Sequence, residues 1–243
     1  MTDSYLDRWG DLLGKPADGV SRSLRSDPMF VEQFKTLSSR FEYRIDALQC
    51  KVIAVTSAIA GEGKTATAMN LATDLSSSGR KKVLLVDVDL RKCDLAKRLE
   101  VPPVPGLSEY LAGSISLKEI LQKSPVKGLV VIPGGMRIAV PWDLLSGERF
   151  RTFHTAVREH FDIVLLDTPP VIPVSDTHAL RDLVDGFVLV YRLGHTPHTL
   201  FKQAMDDIGE KKLLGVVLNG VEPQSERYYQ RYYGSYYTKP DKK

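Results

Sequence analysis

The sequence has few cysteines, no long apolar run and almost no excess charge of either sign. Its two cysteines, Cys50 and Cys93, are not at metal-ligand spacing, and so few thiols predict reduced side chains in a cytosolic protein. No apolar run approaches the ~18 residues that a membrane-spanning helix needs. The N-terminal residues are polar and lack the apolar segment of a secretory signal. These absences predict a cytoplasmic protein that would need a partner to reach a membrane.

The charge balance also narrows the choice of partners. Lys and Arg total 33 and Asp and Glu total 30, a net charge of +3, so we expect no nucleic acid partner. Hydrophobic residues make up 43% of the chain and charged residues 26%, which are ordinary values for a globular protein. With 243 residues the chain is long enough to bury a core, as one large α/β domain or two small ones.

Apolar, β-branched runs alternate with helix-forming stretches along most of the chain. We predict six strands, at residues 51–56, 82–87, 128–133, 162–167, 186–193 and 213–219. We predict helices at residues 28–47, 64–79, 141–161, 176–185 and 197–210. Buried strands interleaved with helices indicate an α/β fold with a mostly parallel sheet that carries helices on both faces. In such sheets the functional site lies at the carboxyl ends of the strands.

A glycine-rich loop follows the first predicted strand and leads into a helix. The sequence AIAGEGKT fits a P-loop in which Ala58 replaces the first glycine. Backbone N–H groups of Gly61 and Gly63 would wrap the phosphates, Lys64 would bring charge to the terminal phosphates, and Thr65 would offer its hydroxyl to Mg²⁺. The predicted cofactors are therefore ATP and Mg²⁺, and the fold is predicted to be P-loop NTPase-like. The predicted nucleotide-binding residues of the loop are Gly61, Glu62, Gly63, Lys64, Thr65 and Ala66.

Three aspartates stand where predicted strands end. Asp87 and Asp89 follow the second strand with one residue between them and would face the same site, and Asp167 ends the fourth strand. Such carboxylates hold Mg²⁺ in P-loop proteins, and one of them could accept the proton of an attacking hydroxyl. Each aspartate taken alone could equally be a strand-end cap. Asn219 ends the last strand, where its amide could contact adenine or form an Asn-Gly turn.

The end of the chain has an unusual composition. Six of the ten tyrosines lie there in three pairs, which we predict to be phosphate acceptors: Tyr228, Tyr229, Tyr232, Tyr233, Tyr236 and Tyr237. We divide the chain into a flexible leader (1–26), a P-loop domain (27–224) and a flexible tyrosine-rich tail (225–243). A competing interpretation is a binding module whose tail tyrosines stack on bases while arginines contact phosphates. That interpretation leaves the P-loop unexplained.

The motifs GEGKT, VLLVDVDLR and VLLDTPP occur in that order, accompanied by PWDLLSG, VSDTHAL and the tyrosine cluster. This set resembles the bacterial protein-tyrosine kinases of capsule and exopolysaccharide synthesis (BY-kinases), whose Walker A, A′ and B motifs the first three match. The resemblance implies that Asp87 is the preferred base, although the sequence does not distinguish its role from that of Asp89. It also implies that Arg91 supports phosphate charge or a subunit contact. The implied catalytic residues are Lys64, Asp87, Asp89 and Arg91, and the implied metal ligands are Thr65, Asp87, Asp89 and Asp167.

The resemblance also implies partners. BY-kinases phosphorylate their own tyrosine cluster in trans within a ring of subunits, and phosphorylation breaks the ring. A membrane activator of the chain-length-regulator type would hold this chain at the inner membrane, and a cognate tyrosine phosphatase would reverse its action. The family's ring contact is a Glu-x-x-Arg-x-x-Arg pattern, which here is Glu32, Lys35 and Ser38. Because Lys does not reproduce a bidentate Arg contact, we expect ring assembly to depend on the activator.

The second candidate function is a switch ATPase of the partition or division-site type without kinase activity. Such proteins carry a signature Lys five residues before the P-loop Lys, and this chain has Ile59 at that position. They tend to end in an amphipathic membrane helix or a basic DNA-binding face rather than in paired tyrosines. Both differences favour the kinase.

Overall fold

The computed structural model describes residues 28–124, 126–172 and 176–221. The predicted leader, residues 1–26, and the predicted tail, residues 225–243, lie outside these ranges, and so do all six tail tyrosines. The proposed division of the chain into leader, domain and tail therefore stays a prediction.

Seven strands form one sheet in the described part of the chain. They are β1 Val52–Ser57, β2 Val83–Asp87, β3 Gln122–Lys123, β4 Leu129–Ile132, β5 Ile163–Asp167, β6 Gly186–Arg192 and β7 Leu213–Asn219. Their order across the sheet is β3-β4-β2-β5-β1-β6-β7. The short β3 is antiparallel to β4, and every other neighbouring pair is parallel.

Helices connect the strands and cover both faces of the sheet. They are α1 Pro28–Ala47, α2 Lys64–Ser77, α3 Leu95–Leu99, α4 Leu107–Leu111, α5 Leu117–Ile120, α6 Trp142–Ser146, α7 Glu148–His160, α8 Asp176–Ala179 and α9 His198–Ile208. A 3₁₀ turn, Glu210–Lys212, leads into β7. None of the helices in the described ranges is both long and apolar enough to cross a bilayer.

The sheet separates two apolar cores because successive side chains of a strand point to opposite faces. In β1, Val52 and Ala54 belong to the core that includes side chains of α7 and α9, whereas Ile53 and Val55 belong to the core formed with α1 and α2. Every residue of β1, β2 and β5 is buried, as expected of strands covered on both sides. This double burial fixes where the three central strands end, and thereby where their loops begin.

The α/β, P-loop-type fold class and all six predicted strands are confirmed, each strand to within one residue at either end. The helices predicted at residues 28–47 and 197–210 are confirmed as α1 and α9 with nearly the same limits. Strand β3 has no counterpart in the prediction, because two polar residues at a sheet edge carry no periodic signal.

The stretch from 141 to 161 is predicted as one helix and is in fact two. Helices α6 and α7 are separated at Gly147, which is extended, with φ of −75° and ψ of 165°. A Cβ at Gly147 would lie 3.0 Å from the carbonyl oxygen of Asp143, a close contact that glycine avoids. The prediction is wrong because apolar periodicity does not reveal a break between two successive amphipathic helices.

The helix predicted at residues 176–185 is also wrong in extent, since α8 ends at Ala179 and turns follow it. These turns bring Asp185 to the start of β1, where its Oδ2 accepts the N–H of Val52 at 2.9 Å. A continuous helix would not satisfy the first N–H groups of the central strand in this way.

Candidate active site

The loop between β1 and α2 is folded into a phosphate-binding shape. Gly61 and Gly63 have φ of 87° and 95°, a region that residues with a Cβ rarely adopt. A Cβ on Gly63 would also collide with the side-chain amide of Asn219. Because α2 begins at Lys64, the unpaired N–H groups of its first turn are available at the same place. The two glycines and the helix start together form a cradle for an anion.

Three buried aspartates lie at the carboxyl ends of neighbouring strands, beside this cradle. Asp87 of β2 and Asp167 of β5 are paired directly in the parallel ladder, and the N–H of Asp89 donates to the carbonyl oxygen of Asp167 at 3.1 Å. The ammonium of Lys64 lies 2.9 Å from Asp89 Oδ2 and 3.9 Å from Asp167 Oδ1. The structure thus brings together four residues that the sequence predicts for one site, with one ammonium against three carboxylates.

Burial shifts the proton affinities of this cluster. It raises the pKa of Asp167 to about 6, against the opposing charge of Lys64. Burial and the charge of Asp167 together raise the pKa of Asp87 well above its usual range. Burial alone would lower the pKa of Lys64, but the carboxylates of Asp167 and Asp89 outweigh it and raise that pKa. Lys64 therefore keeps its charge at neutral pH, while Asp87 and Asp167 ionise at a cost.

The cluster has the chemistry of a Mg²⁺ site that a nucleotide completes. Asp167 Oδ1 is buried and accepts no hydrogen bond, so its lone pairs remain for a cation. Across residues 28–124, 126–172 and 176–221, no three acidic, His or Cys side chains group closely enough to hold a metal ion alone. Mg²⁺ commonly takes one or two carboxylates and fills its other positions with water and phosphate oxygens. Asp167, with the Thr65 hydroxyl beside it, fits an ion that arrives with ATP.

The carboxylate of Glu62 is buried inside the protein, behind the phosphate loop. Its Oε2 accepts the N–H of Ile59 at 2.6 Å, and its Oε1 accepts the hydroxyl of Thr196. The side chain is fully buried, so it braces the loop from the protein side. The sequence predicts Glu62 among the nucleotide-binding residues. Because its carboxylate is turned inward, its backbone N–H is the group that could contact a nucleotide.

Side chains from β6, β7 and the loop after β6 hold the same loop by its carbonyl oxygens. Asn219 Nδ2 donates to the carbonyl oxygen of Glu62 at 2.8 Å, and Arg192 Nη1 donates to that of Gly61 at 3.0 Å. His195 Nε2 lies 3.1 Å from the carbonyl oxygen of the residue before Gly61. The Asn219 side-chain oxygen accepts the next backbone N–H, so both ends of its amide are engaged by the protein. Its contact with adenine therefore stays a prediction.

Thr196→Val is expected to weaken nucleotide binding as well as the fold. The substitution keeps the side-chain shape but removes the hydroxyl that donates to Glu62, and a hydrogen bond to a charged group is worth about 1.5–3 kcal/mol. We expect a loss of that order in the free energy of unfolding, and a Kd for ADP roughly 10-fold higher by calorimetry, a change of about 1.4 kcal/mol.

The matched control is Thr155→Val on the exposed side of α7, where the lost hydroxyl bonds only the carbonyl oxygen of Arg151. This control should change neither quantity. An unchanged ADP affinity in Thr196→Val, together with lowered stability, would show that the brace supports the fold and not the nucleotide site.

Arg91 is held by a buried carboxylate. Its Nε and Nη2 donate to the two carboxylate oxygens of Asp176 at 2.6 and 3.2 Å, and its Nη1 donates to the carbonyl oxygen of Ala139 at 2.5 Å. Arg91 therefore ties the segment after β2 to α8 and to the loop after β4. Its predicted role in supporting phosphate charge stays a prediction.

Functional side chains that sequence reasoning misses lie far along the chain from the motif they support. Arg192 ends β6, and His195 and Thr196 follow it in a stretch without any recognisable pattern, so no local signal marks the roles of these three residues. Asp176 had a signal, since it stands in the VSDTHAL motif, although the motif does not reveal that Arg91 is its partner.

Comparisons with known proteins identify the family of the chain. The AAA domain family matches residues 50–190. Tyrosine-protein kinase YwqD of Bacillus subtilis (strain 168) is 34% identical over 206 residues, 84% of this chain and 86% of the relative. Tyrosine-protein kinase CpsD of Streptococcus agalactiae is 31% identical over 220 residues, 89% of this chain and 94% of the relative. The solved kinase domain of Escherichia coli tyrosine kinase ETK matches with a TM-score of 0.79 at 28% identity, covering 91% of this chain and 88% of that one. The chain therefore belongs to the family of bacterial tyrosine-protein kinases.

Proposed function

We propose that this chain is an ATP- and Mg²⁺-dependent tyrosine autokinase that phosphorylates the tail tyrosines of another copy of itself. The observation that carries the proposal is the buried cluster of Asp87, Asp89 and Asp167 around Lys64, beside the phosphate loop. Phosphoryl transfer needs a phosphate cradle, a lysine, a metal position and a carboxylate near the attacking hydroxyl. The cluster and the adjoining phosphate loop supply candidates for all four at one edge of the sheet.

Nucleotide binding would rearrange the charges of the cluster. Lys64 can exchange the Asp89 carboxylate for phosphate oxygens, which leaves Asp89 free to face the acceptor. Bound Mg²⁺ would supply positive charge to the phosphates, and Asp167 with Thr65 would hold it. Lys64 would thus neutralise the acidic cluster until the phosphates of the nucleotide take the place of Asp89 as its partner.

Asp87 is the preferred acceptor for the phenol proton. Its raised pKa brings it nearer to the phenol, whose ordinary pKa is about 10, and so makes it a stronger base than an exposed aspartate. Its two oxygens accept the N–H groups of Asp89 and Leu95 at 3.2 and 3.1 Å, which fixes the orientation of the carboxylate. Asp89 remains the alternative base.

The tail supplies the acceptors in this proposal because tyrosines of the folded domain are poorly placed. Tyr110 is buried, and Tyr191 packs against Phe201 with ring centroids 4.7 Å apart. Tyr43 is exposed but lies within helix α1, whose backbone cannot extend into a site. Each phosphate would add about −1.5 to −2 charges, which would repel the product from the acidic cluster.

We further propose a ring-like homo-oligomer that assembles with a membrane activator of the chain-length-regulator type. On α1, Glu32 and Lys35 are exposed, but Ser38 is buried and its hydroxyl donates to Asp74 Oδ2 of α2 at 3.1 Å. The third position of the family's ring contact thus faces its own chain, which supports dependence on an activator. The activator would hold the kinase at the inner membrane, where it would regulate capsule or exopolysaccharide synthesis and export, and a cognate phosphatase would reset it.

A mixing experiment tests the proposed transfer between copies. The donor is the full chain with its six tail tyrosines changed to Phe, and the acceptor is the full chain carrying Lys64→Met. With Mg²⁺ and labelled ATP, and with the activator's cytosolic segment present, we expect phosphotyrosine on the acceptor only. The control acceptor carries both Lys64→Met and the six Phe substitutions and should stay unlabelled.

Two outcomes would contradict the proposal in different ways. ATP hydrolysis without phosphotyrosine, with and without the activator segment, would show a switch ATPase. Labelling of the unaltered chain but not of the mixture would show transfer within one copy.

A further inference from the structure

An exposed apolar segment borders the aspartate cluster. Residues 136–142, which we call the apolar shelf, read MRIAVPW and contain one charged residue. Met136, Val140 and Trp142 are 66%, 67% and 37% exposed. Loops at protein surfaces are usually polar, and a run of exposed apolar side chains commonly marks an interaction site.

Hydrogen bonds fix the shelf against the segment that carries Asp87 and Asp89. The N–H of Ile138 donates to the carbonyl oxygen of Leu90 at 2.8 Å, and Arg91 donates to the carbonyl oxygen of Ala139. At the other end, the N–H of Met136 donates to Glu109 Oε1 at 2.9 Å. The shelf is therefore held in place before any partner arrives, which lowers the entropy cost of binding.

The loop that leads into the shelf comes close to the carboxylate of Asp87. A Cβ on Gly134 would lie 3.4 Å from Asp87 Cγ and 2.7 Å from the sulfur of Cys93. Gly134 is buried between them, so the absence of its side chain allows this approach. The loop that leads into the shelf therefore packs directly against the segment that carries the preferred base.

The sheet order places the shelf and the nucleotide loop on opposite sides of the aspartates. Strand β2, which ends in Asp87, is flanked by β4 on one side and by β5 and then β1 on the other. The phosphate loop follows β1, and its braces Arg192 and Asn219 come from β6 and β7, farther in the same direction. The shelf follows β4. Bound ATP would therefore lie on one side, which leaves the second side for the group that receives the phosphate.

We propose that the apolar shelf binds the acceptor tyrosines of a second copy's tail, residues Tyr228–Tyr237. This inference rests on the proposed kinase function and names the surface that presents its substrate. A phenol ring offers apolar faces to the shelf while its hydroxyl reaches toward Asp87 or Asp89. The tail has five Lys and Arg against two Asp and Glu from residue 225 onward, which complements a cluster with three carboxylates.

The position of β7 favours the tail of another copy over the chain's own tail. Strands β7 and β4 are five strand spacings apart, about 24 Å. A chain that left β7 and ran straight to the shelf would pass the phosphate loop after β1, where a nucleotide would lie. A tail arriving from a neighbour can approach the shelf from the β4 side without this obstruction.

The test compares the same substitution in the donor and in the acceptor. The double variant Met136→Ser/Val140→Ser is placed either in an otherwise unaltered full-chain donor or in a full-chain acceptor that carries Lys64→Met. Phosphotyrosine on the acceptor is measured against acceptor concentration. We expect the donor variant to need roughly 10-fold more acceptor for half-maximal rate, with little change in maximal rate or ADP affinity, because two apolar contacts are lost. The same change in the acceptor should have no effect.

Val216→Ser/Leu218→Ser in the donor is the matched control, because it removes two exposed apolar side chains at the far edge of the sheet. It should behave as the unaltered donor does. The proposal would be overturned if the shelf substitutions in the donor left acceptor phosphorylation unchanged. It would also be overturned if they lowered that phosphorylation equally in the donor and in the acceptor, which would indicate a contact between folded domains. If the shelf substitutions lowered labelling of the donor's own tail but not of the acceptor, the shelf would serve transfer within one copy. If the unaltered donor makes no phosphotyrosine at all, the kinase function itself fails.

Discussion

Lys64→Met is expected to abolish self-phosphorylation and, in the nucleotide-free protein, to lower stability. Removing one preorganised donor to a developing charge typically costs 10²–10³ in rate, so we expect a loss of at least ~100-fold in phosphotyrosine formation. The lysine also neutralises buried carboxylates, lying 2.9 Å from Asp89 and 3.9 Å from Asp167. Breaking a buried ion pair by removing one partner costs about 3–5 kcal/mol when the remaining charge stays ionised.

The loss of stability should depend on pH. Without Lys64 the buried carboxyl groups of Asp87 and Asp167, whose pKa values are already raised, can take up protons instead of remaining charged, so the penalty is smaller at pH 5 than at pH 8. Chemical denaturation at both pH values measures the difference, and Lys97→Met, on the exposed side of α3, is the control. Phosphotyrosine formation by Lys64→Met at the unaltered rate would exclude this lysine from catalysis. A penalty that is equal at both pH values would exclude the proposed charge coupling.

Asp167→Asn should stabilise the nucleotide-free protein while removing its activity. Burial raises the pKa of Asp167 to about 6, so the folded state pays to ionise it at neutral pH. The folded protein holds this proton more tightly than the unfolded chain, and stability is therefore lost as pH rises from about 4 through 6. The raised pKa corresponds to at most about 3 kcal/mol of stability, and we expect Asp167→Asn to recover about 1–3 kcal/mol at about pH 7.5.

The difference in the free energy of unfolding between Asp167→Asn and the unaltered chain isolates the contribution of this one carboxyl group. Other carboxylates, such as Asp185 and Glu109, have lowered pKa values that act in the opposite direction, and they cancel in the comparison. The stability difference should fall toward zero below pH 4. Mg²⁺ with ADP should raise the melting temperature of the unaltered chain more than that of the variant.

Asp206→Asn, an exposed change on α9, is the control and should stay within about 0.5 kcal/mol at every pH. If Asp167→Asn is less stable than the unaltered chain at pH 7.5, the ion pair with Lys64 stabilises the fold by more than ionisation of the buried carboxyl group destabilises it.

The parts of the site that sequence predicts are those encoded locally or by strand ends. The P-loop is a contiguous motif, so Gly61, Gly63 and Lys64 are recognisable from their order alone. Asp87 and Asp167 are predictable as neighbours because each ends a buried apolar run and parallel strands end on one edge. The same reasoning succeeds for the six central and edge strands, whose continuous apolar composition has few alternatives.

The parts that sequence does not predict depend on contacts between distant segments. Nothing near Glu62 indicates that its carboxylate turns inward to meet Thr196, because the two lie 134 positions apart. Ser38 lies at helical spacing from Phe41 and Ile45, so its burial was predictable, but no local pattern marks its partner Asp74 on α2. The break at Gly147 is missed for a local reason, because both flanking helices are amphipathic and glycine is also tolerated within helices.

The bracing of the phosphate loop has a consequence for synthesis of the chain on the ribosome. The loop is translated in the first third of the sequence, but the bonds from Asn219 to Glu62 and from Arg192 to Gly61 span 157 and 131 positions. A nascent chain that has not yet extended past β7 therefore carries the complete motif without the contacts that hold its shape. We therefore expect the phosphate loop to reach its braced shape late, when the last strand joins the sheet.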